Sequence, residues 1–174
     1  DFPRLEVIVV NDRSTDETGT ILQRIAADNP RVKVVHIQSL PEGWLGKSDA
    51  CHVGAQKVGA DWILFTDADV WLKPDVIQRA LAVARRDNAQ HITLTPGVKR
   101  GTLAGQGWHL LFLMGMGDWI EKVNRDHPKA YIGIGAFNLV ATRAYQACGG
   151  YPALKMTVVD DVKLGLLMRR AGFR

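Results

Sequence analysis

Cysteine is scarce in this sequence of 174 residues, in which only Cys51 and Cys148 are present. Two cysteines are too few for a disulfide framework, which favours a reducing compartment. The five histidines form no HExxH motif and there is no CxxC pair, so neither a structural zinc site nor a zinc protease is expected. Any metal ion bound by this chain should therefore have oxygen ligands.

Blocks of like charge and long apolar runs are also missing. The net charge of +4 is spread over short pairs such as Arg85-Arg86 and Arg169-Arg170, so nucleic acid is not expected as a partner. The longest apolar run, residues 108–116, is shorter than the roughly 20 residues that cross a bilayer. A core helix is the favoured interpretation of this run, and docking of a lipid acceptor is the alternative.

Short β-branched runs alternate with helical patterns along residues 1–174, which we interpret as a single domain. Strands are predicted at residues 5–10, 32–37, 62–66 and 91–95, with a glycine-rich candidate at 132–140. Helices are predicted between Ser14 and Asn29, at 48–58, after Pro74, near 103–123 and at 160–171. This alternation indicates βαβ units and an α/β fold, with a parallel sheet covered by helices and a Rossmann-like first half.

Two carboxylates follow the predicted strand 62–66. Asp67 and Asp69 stand where the carboxyl edge of a parallel sheet opens into a ligand crevice. Two like charges this close repel each other and are costly to bury unless a cation neutralises them. Mg²⁺ or Mn²⁺ with a diphosphate is the natural partner, because hard cations prefer oxygen ligands. The alternative is that both residues only cap the turn.

Asp12 and Lys47 come after the first and second predicted strands. Asp12 could accept a hydrogen bond from a ring N–H of a base, although turn and N-cap chemistry explains its surroundings equally well. The segment 43–48 is similar to a P-loop, but Pro41 occupies the position of the first glycine and supplies no N–H to a phosphate. We interpret the segment as a turn that directs Lys47 toward phosphate, with an ordinary surface lysine as the alternative.

Asp160 and Asp161 open the last predicted helix. Carboxylates in a first turn interact favourably with the helix dipole and need no further role. If the fold returns this acidic pair to the crevice, it could supply a general base. Gly133 and Gly135 would permit a tight backbone near the same crevice.

Five segments, taken in their order and spacing, resemble family 2 glycosyltransferases of the GT-A fold over nearly the whole chain. The segments are NDRSTD, GWLGKSDA, WILFTDADVWLKPD, GIGAFNLVATRAYQACGGY and VVDDVKLGLLMRRAGFR. The GWLGK and TDAD contexts are similar to the branch with ceramide glucosyltransferase-like and hopanoid- or carotenoid-associated bacterial members. The resemblance implies a three-layer α/β/α architecture with a mostly parallel central sheet, here without the family's first βα unit.

The resemblance also implies a UDP-sugar donor and a divalent metal, Mn²⁺ or Mg²⁺. By the family's pattern, Asp12 recognises the uracil ring and Lys47 lies near the diphosphate. Asp67 faces the ribose and the sugar, and Asp69 ligates the metal, with Asp67 as the other carboxylate of the metal site. These roles belong to the resemblance and not to the spacing of the residues.

The family's acidic pair matches Asp160 and Asp161, and the second residue is implied to be the catalytic base. Asp160 replaces the usual Glu and is shorter by a methylene. The implied reaction is a metal-dependent, inverting transfer of a sugar to an acceptor hydroxyl, which a lipid could carry. The implied location is the cytoplasmic face of a membrane, with the full-length protein attached to the inner membrane.

Two parts of the family's pattern have no match in the sequence: a strand and helix before residue 5, and a Q/RxxRW motif after the last helix. We therefore interpret the chain as an internal fragment of a longer enzyme. On its own it should bind UDP-sugar poorly, because its sheet would have a bare flank. A P-loop-like NTPase and a noncatalytic nucleotide-binding or scaffold domain of the same fold are the alternative functions.

Overall fold

A computed structural model describes residues 2, 4–97 and 102–174 of the chain. Five strands are present in these ranges: β1 (Val7–Asp12), β2 (Val32–Ile37), β3 (Trp62–Phe65), β4 (His91–Thr93) and β5 (Asn138–Ala141). Six α-helices accompany them: α1 (Thr18–Asp28), α2 (Gly46–Ala55), α3 (Val76–Arg86), α4 (Leu103–Asn124), α5 (Thr142–Ala147) and α6 (Asp160–Arg170). A 3-10 turn covers Tyr151–Leu154.

The strands form two hydrogen-bonded ladders within the described residues. β1 and β2 pair in parallel, from Val7 opposite Val32 to Asp12 opposite Ile37. β5 lies between β3 and β4 and runs antiparallel to both, so β3 and β4 are parallel to each other. The predicted mixed α/β class with a parallel sheet, consistent with the GT-A fold, is confirmed.

The glycine-rich strand predicted at 132–140 is wrong over most of its length. Only its last residues belong to β5, and residues 132–137 form an irregular segment. The reason is visible at Gly135, whose N–H and C=O bond to Asp161 and Asp67 instead of to a neighbouring strand. The first strand, predicted at residues 5–10, is β1 at Val7–Asp12, because its ladder with β2 continues to Asp12.

The prediction of a core helix at residues 108–116 is wrong, because no residue of α4 is buried. Each residue of α4 is exposed or half-buried, and Leu103 and Trp108 are 88% and 75% exposed. One face carries the half-buried side chains, whereas Leu110 and Leu111 point away from the protein. In the described ranges, no helix has the length and apolar character needed to cross a membrane.

Burial of α6 fixes the position of the acidic pair at its start. Leu164 and Met168 on α6 pack with Val140 of β5 and with Tyr151, and all four side chains are almost fully buried. Packing of this kind holds a helix rigidly against the sheet. The first turn of α6 is therefore held beside the irregular segment 132–137.

Candidate active site

Lys47 and Asp67 form an ion pair at the end of β3. Lys47 lies in the first turn of α2, and its Nζ is 2.8 Å from Oδ1 of Asp67, the second residue after β3. Burial lowers the pKa of Lys47, but its hydrogen bond to Asp67 and the charges of Asp160 and Asp67 outweigh burial, so the pKa is raised overall. The ammonium group thus stays charged at the carboxyl end of the strand.

Gly135 joins Asp67 to Asp161. The Gly135 carbonyl accepts from the Asp67 N–H at 3.1 Å, and the Gly135 N–H donates to Oδ2 of Asp161 at 2.7 Å. A β-carbon at position 135 would lie 2.7 Å from Oδ2 of Asp67 and 3.3 Å from Nζ of Lys47. Two carboxylates that are 94 residues apart in sequence (161 − 67) therefore lie on either side of one glycine.

The segment 132–135 approaches α6 closely because two further positions have no side chain. A β-carbon at Gly133 would collide with the backbone carbonyl of Asp161, and one at Gly165 would collide with the carbonyl of Ile132. The Asp161 carboxylate is also held by its own helix, since Oδ1 accepts from the Val162 N–H at 2.8 Å. These contacts fix Asp161 in position and orientation.

Asp12 lies beside the start of α2, against Gly46, the residue before Lys47. A β-carbon at Gly46 would be 2.7 Å from Oδ2 of Asp12. Both Asp12 oxygens accept from Arg13, with Nε–Oδ1 at 2.6 Å and Nη2–Oδ2 at 2.9 Å. Each carboxylate oxygen has a second lone pair, so Asp12 can still accept another donor.

Asp69 is exposed and has no hydrogen-bond or ion-pair partner among the described residues. In the same ranges, no cluster of three or more His, Cys, Asp or Glu side chains could hold a metal ion by itself. Mg²⁺ commonly takes only one or two protein carboxylates and obtains its other ligands from water and phosphate. The pair Asp67 and Asp69 fits that kind of partial site, because the Asp69 oxygens are open and the missing β-carbon of Gly135 leaves a cradle at Oδ2 of Asp67.

Asp160 differs from Asp161 in its surroundings. It is only 3% exposed, and its Oδ2 accepts from the Tyr151 hydroxyl at 3.0 Å. Burial together with the nearby Cys51 and Asp160 raises the pKa of Tyr151, so this hydroxyl remains a donor. The structure therefore brings Asp12, Lys47, Asp67 and Asp161 into one region with Asp69 at its edge, and it holds Asp160 in the interior behind them.

Two cavities are lined in part by residues of α6. One, of about 530 Å³, lies between α4 and residues 131–134 and is lined by Asp161 among mainly apolar side chains. The other, of about 510 Å³, lies between α3, β4 and α6, and none of the six predicted site residues lines it. Of the six predicted site residues, Asp161 alone is among the residues that line the first cavity.

Sequence reasoning did not predict Tyr151, Arg13 or Gly165 as parts of the site. Arg13 follows Asp12 in the turn cluster, and its left-handed backbone (φ 56°) has no reliable sequence signal. Gly165 is a glycine inside a predicted helix, which often marks a close approach, and that signal could have identified it. Tyr151 follows two glycines and offered no comparable pattern.

A fold with lysine and carboxylates gathered at strand ends is typical of enzymes that bind nucleotides at the carboxyl edge of a sheet. Comparison with known families identifies the class: the Glycosyl transferase family 2 model matches residues 1–149. The chain belongs to glycosyl transferase family 2. The match includes Asp12, Lys47, Asp67 and Asp69 and stops before α6.

Relatives named 4,4'-diaponeurosporenoate glycosyltransferase are similar to the chain. The protein of Staphylococcus aureus (strain USA300) is 25% identical over 177 aligned residues, which cover 92% of this chain and 43% of the relative. That of strain MRSA252 is 27% identical with the same coverage. The Staphylococcus haemolyticus protein is 39% identical over 69 residues, or 40% of this chain and 18% of the relative. The chain thus spans less than half the length of these curated relatives.

Proposed function

We propose that this chain carries the donor and base residues of an enzyme that transfers a sugar from a UDP-sugar to an acceptor hydroxyl, with inversion at the anomeric carbon. The observation that carries the proposal is the position of Gly135, whose carbonyl accepts from the Asp67 backbone N–H and whose N–H donates to the Asp161 carboxylate. These two bonds place residue 67, which we assign to the donor side, and the Asp161 carboxylate on either side of one glycine. Membership of glycosyl transferase family 2 supports sugar transfer as the reaction.

The donor would bind along the line from Asp12 to Asp67. Asp12, which lies against Gly46, offers lone pairs to the ring N–H of uracil, and Lys47, the following residue, carries a positive charge for the diphosphate. The diphosphate would compete with Asp67 for the Lys47 ammonium group, since phosphate is a strong acceptor for a charged donor. Release of the Asp67 carboxylate from Lys47 would then free both of its oxygens.

A divalent cation, Mn²⁺ or Mg²⁺, would be held by Asp69 and Asp67. Both residues supply oxygen ligands, and Asp69 has no competing partner within the described ranges. When bound, the cation would stabilise negative charge on the departing diphosphate as a Lewis acid. Lys47 adds a second positive charge on the same side.

Asp161 would act as the general base. Its carboxylate is held by the N–H groups of Gly135 and Val162, which fix its orientation before the acceptor arrives. As the acceptor oxygen attacks the anomeric carbon, its proton passes to Asp161 and the bond from that carbon to the UDP oxygen breaks. Attack from the side opposite to UDP inverts the configuration.

Asp160 has a positioning role in this scheme. Its carboxylate is buried on the Tyr151 hydroxyl and therefore cannot reach an acceptor without moving α6. The bond to Tyr151 ties the first turn of α6 to the 3-10 turn. The negative charge of Asp160 also contributes to the raised pKa of Lys47.

We further propose that the full-length protein associates with a membrane through α4. Leu103, Trp108, Leu110 and Leu111 are exposed on one helix, and we call this set the outer face of α4. Exposed apolar side chains on a helix can insert at the boundary between lipid headgroups and acyl chains. The net charge of +4 and the pI of about 9.2 favour an anionic surface, such as the cytoplasmic face of a bacterial inner membrane.

The P-loop alternative conflicts with the contacts of Ser48. In a P-loop the corresponding hydroxyl binds Mg²⁺. Here Ser48 is 1% exposed, and its hydroxyl donates to the carbonyl of Leu154 at 3.3 Å. A noncatalytic domain of the same fold is the second candidate, and it differs from the enzyme only in turnover.

The test is the release of UDP from UDP-sugars by the full-length protein with Mn²⁺ and an acceptor alcohol. Asp161→Asn should reduce turnover by about 10²–10⁴-fold, which is the usual contribution of a positioned general base. Asp28→Asn, an exposed carboxylate at the end of α1, is the matched control and should keep full turnover. A wild-type protein that never releases UDP, with any UDP-sugar, would support the noncatalytic alternative.

A further inference from the structure

Arg13 pairs with Asp12 and retains further N–H donors. Its Nε donates to Oδ1 of Asp12 at 2.6 Å, and its Nη2 donates to Oδ2 at 2.9 Å. A guanidinium group carries five N–H donors, so this pairing uses only two of them. Among the described residues, no other group accepts from the Arg13 side chain, which is 38% exposed. One edge of the ion pair therefore presents a donor, the second N–H of Nη2, beside an acceptor, the remaining lone pair of Oδ2.

The guanidinium group of Arg13 is held in place before any ligand binds. Its hydrogen bond to Asp12 raises the pKa of Arg13, burial opposes this, and the charges of Asp12 and Asp49 add to it. The backbone N–H of Arg13 also donates to the Ile37 carbonyl at 3.2 Å. The left-handed φ of 56° is unfavourable for a residue with a side chain. Strain of this kind is concentrated at functional sites, which fits a side chain that is oriented for a ligand.

Gly46 leaves this donor and acceptor edge uncovered. A β-carbon at position 46 would lie 2.7 Å from Oδ2 of Asp12 and 2.9 Å from Nη2 of Arg13, the same two atoms. Gly46 is the first residue of α2, and its φ lies outside the left-handed region that favours glycine. The backbone at position 46 thus accepts residues with a side chain, and what glycine provides there is access to the edge.

Uracil is complementary to an acceptor beside a donor. Its ring N–H lies between two carbonyl groups, so a donor and an acceptor are adjacent on the edge of the base. Cytosine has a lone pair in place of that N–H and an amino group in place of one carbonyl. A site that hydrogen-bonds both positions of uracil therefore rejects cytosine, because polar groups of the site would be left unpaired.

We propose that Arg13 is a specificity-determining residue for the donor: its Nη2 donates to a uracil carbonyl while Asp12 accepts from the adjacent ring N–H. The inference rests on the proposed function, which supplies the UDP-sugar and the contact of Asp12 with its base. It adds a second contact that reads the same base. The edge of uracil would lie at the Oδ2 and Nη2 atoms beside Gly46, and Lys47, the next residue, would face the diphosphate.

Calorimetric titration of the full-length protein with UDP, 2-thio-UDP and 4-thio-UDP tests the proposal. Sulfur is a weak acceptor, so the analogue with sulfur at the carbonyl that Arg13 contacts should bind about tenfold more weakly than UDP. Arg13→Gly should bind UDP and that analogue equally, because the donor is gone. Glycine suits a φ of 56°, so the urea midpoint of Arg13→Gly should be no lower than that of the wild type.

Two further variants complete the experiment. Arg86→Lys breaks a second pair of the same geometry, in which Nε and Nη2 of Arg86 donate to Asp87 at 2.7 and 2.8 Å at the end of α3. It is the matched control and should bind all three nucleotides as the wild type does. Gly46→Ala covers the edge while keeping Arg13 and Asp12, so it should weaken UDP binding severalfold.

The outcomes separate this inference from the proposed function. Loss of discrimination in Arg13→Gly, with unchanged binding by Arg86→Lys, supports Arg13 as the second base contact. Wild-type protein that binds all three nucleotides equally would overturn the inference and leave the proposed function standing, as would discrimination that persists in Arg13→Gly. A further analogue, 3-methyl-UDP, lacks the ring N–H. Wild-type protein that binds it as tightly as UDP would contradict the contact of Asp12 with the base and with it the proposed function.

Discussion

At the scale of single residues, Asp160 and Asp161 show how neighbours on one helix turn acquire different roles. Successive residues of an α-helix point about 100° apart, since a turn takes 3.6 residues. Asp160 is therefore directed to Tyr151 in the core, and Asp161 is directed to Gly135 and the cavity. The sequence predicts the acidic pair but not this division, because it depends on which face of α6 is buried.

The buried neighbourhood of Asp160 makes a prediction about Cys51. Burial raises the pKa of the Cys51 thiol to about 11, and the charge of Asp160 acts in the same direction. In a Cys148→Ser variant, alkylation of native Cys51 should rise with pH up to about 11. In urea, where the chain is unfolded, the pH midpoint of Cys51 alkylation should return to about 8.5.

The same shift affects stability in a defined direction. The thiol is protonated more strongly in the folded chain, so its contribution to stability is fully present below about pH 8.5. That contribution is lost as the pH rises toward about 11. A native alkylation midpoint at or below that of the unfolded chain would contradict the buried environment of Cys51.

At the scale of elements, the close approach of α6 to segment 132–135 depends on Gly165. Gly165→Ala places a β-carbon on the carbonyl of Ile132 and should lower the free energy of unfolding by about 1–3 kcal/mol. Gly117→Ala is the matched control, because Gly117 is also inside a helix but has nothing within 4 Å of its β-carbon position. It should raise the free energy of unfolding by about 0.5–1 kcal/mol.

Urea denaturation of both variants provides the measurement. Replacing glycine by alanine raises helix propensity equally in α4 and α6. An opposite sign of the two changes in the free energy of unfolding would therefore be due to the collision at Ile132. If Gly165→Ala proved as stabilising as Gly117→Ala, the packing of α6 on segment 132–135 would be wrong.

The sequence predicts the strands and helices of the first half closely, since β2 begins and ends where it is expected and β3 differs by one residue. Local hydrophobic period and turn residues are sufficient there. The sequence does not predict that β5 lies between β3 and β4, because strand order depends on contacts between distant residues. It also does not predict that Gly133 and Gly135 serve close packing against α6 rather than a strand.

At the scale of the whole molecule, the outer face of α4 predicts attachment to anionic membranes. The full-length protein should sediment with vesicles containing anionic phospholipid, and Leu111→Asp should reduce the bound fraction severalfold. Ile25→Asp, at a partly exposed position of α1, is the control and should leave binding unchanged. Binding that does not respond to Leu111→Asp would assign attachment to another part of the protein.

Grouping of the distant residues Asp12, Lys47, Asp67 and Asp161 is a property of the whole fold. The sequence places each at the end of a strand or the start of a helix, and such positions lie at the carboxyl edge of a parallel sheet. In the structure β1 and β3 belong to separate ladders, so direct strand pairing is not what brings Asp12 and Asp67 together. The close contacts of Gly46 with Asp12 and of Gly135 with Asp67 could not be predicted in this way, because they depend on interatomic distances of a few ångströms. The six site assignments and the metal stay predictions.

Donor affinity and turnover number, both determined on one preparation of Asp161→Asn, decide whether Asp161 is the general base. We expect the calorimetric UDP affinity to stay within a factor of about two of the wild type, because Lys47 and Asp12 are untouched, and the turnover number to fall as given above. Normal turnover by this variant would contradict the account, because Asp161 would then not be the base.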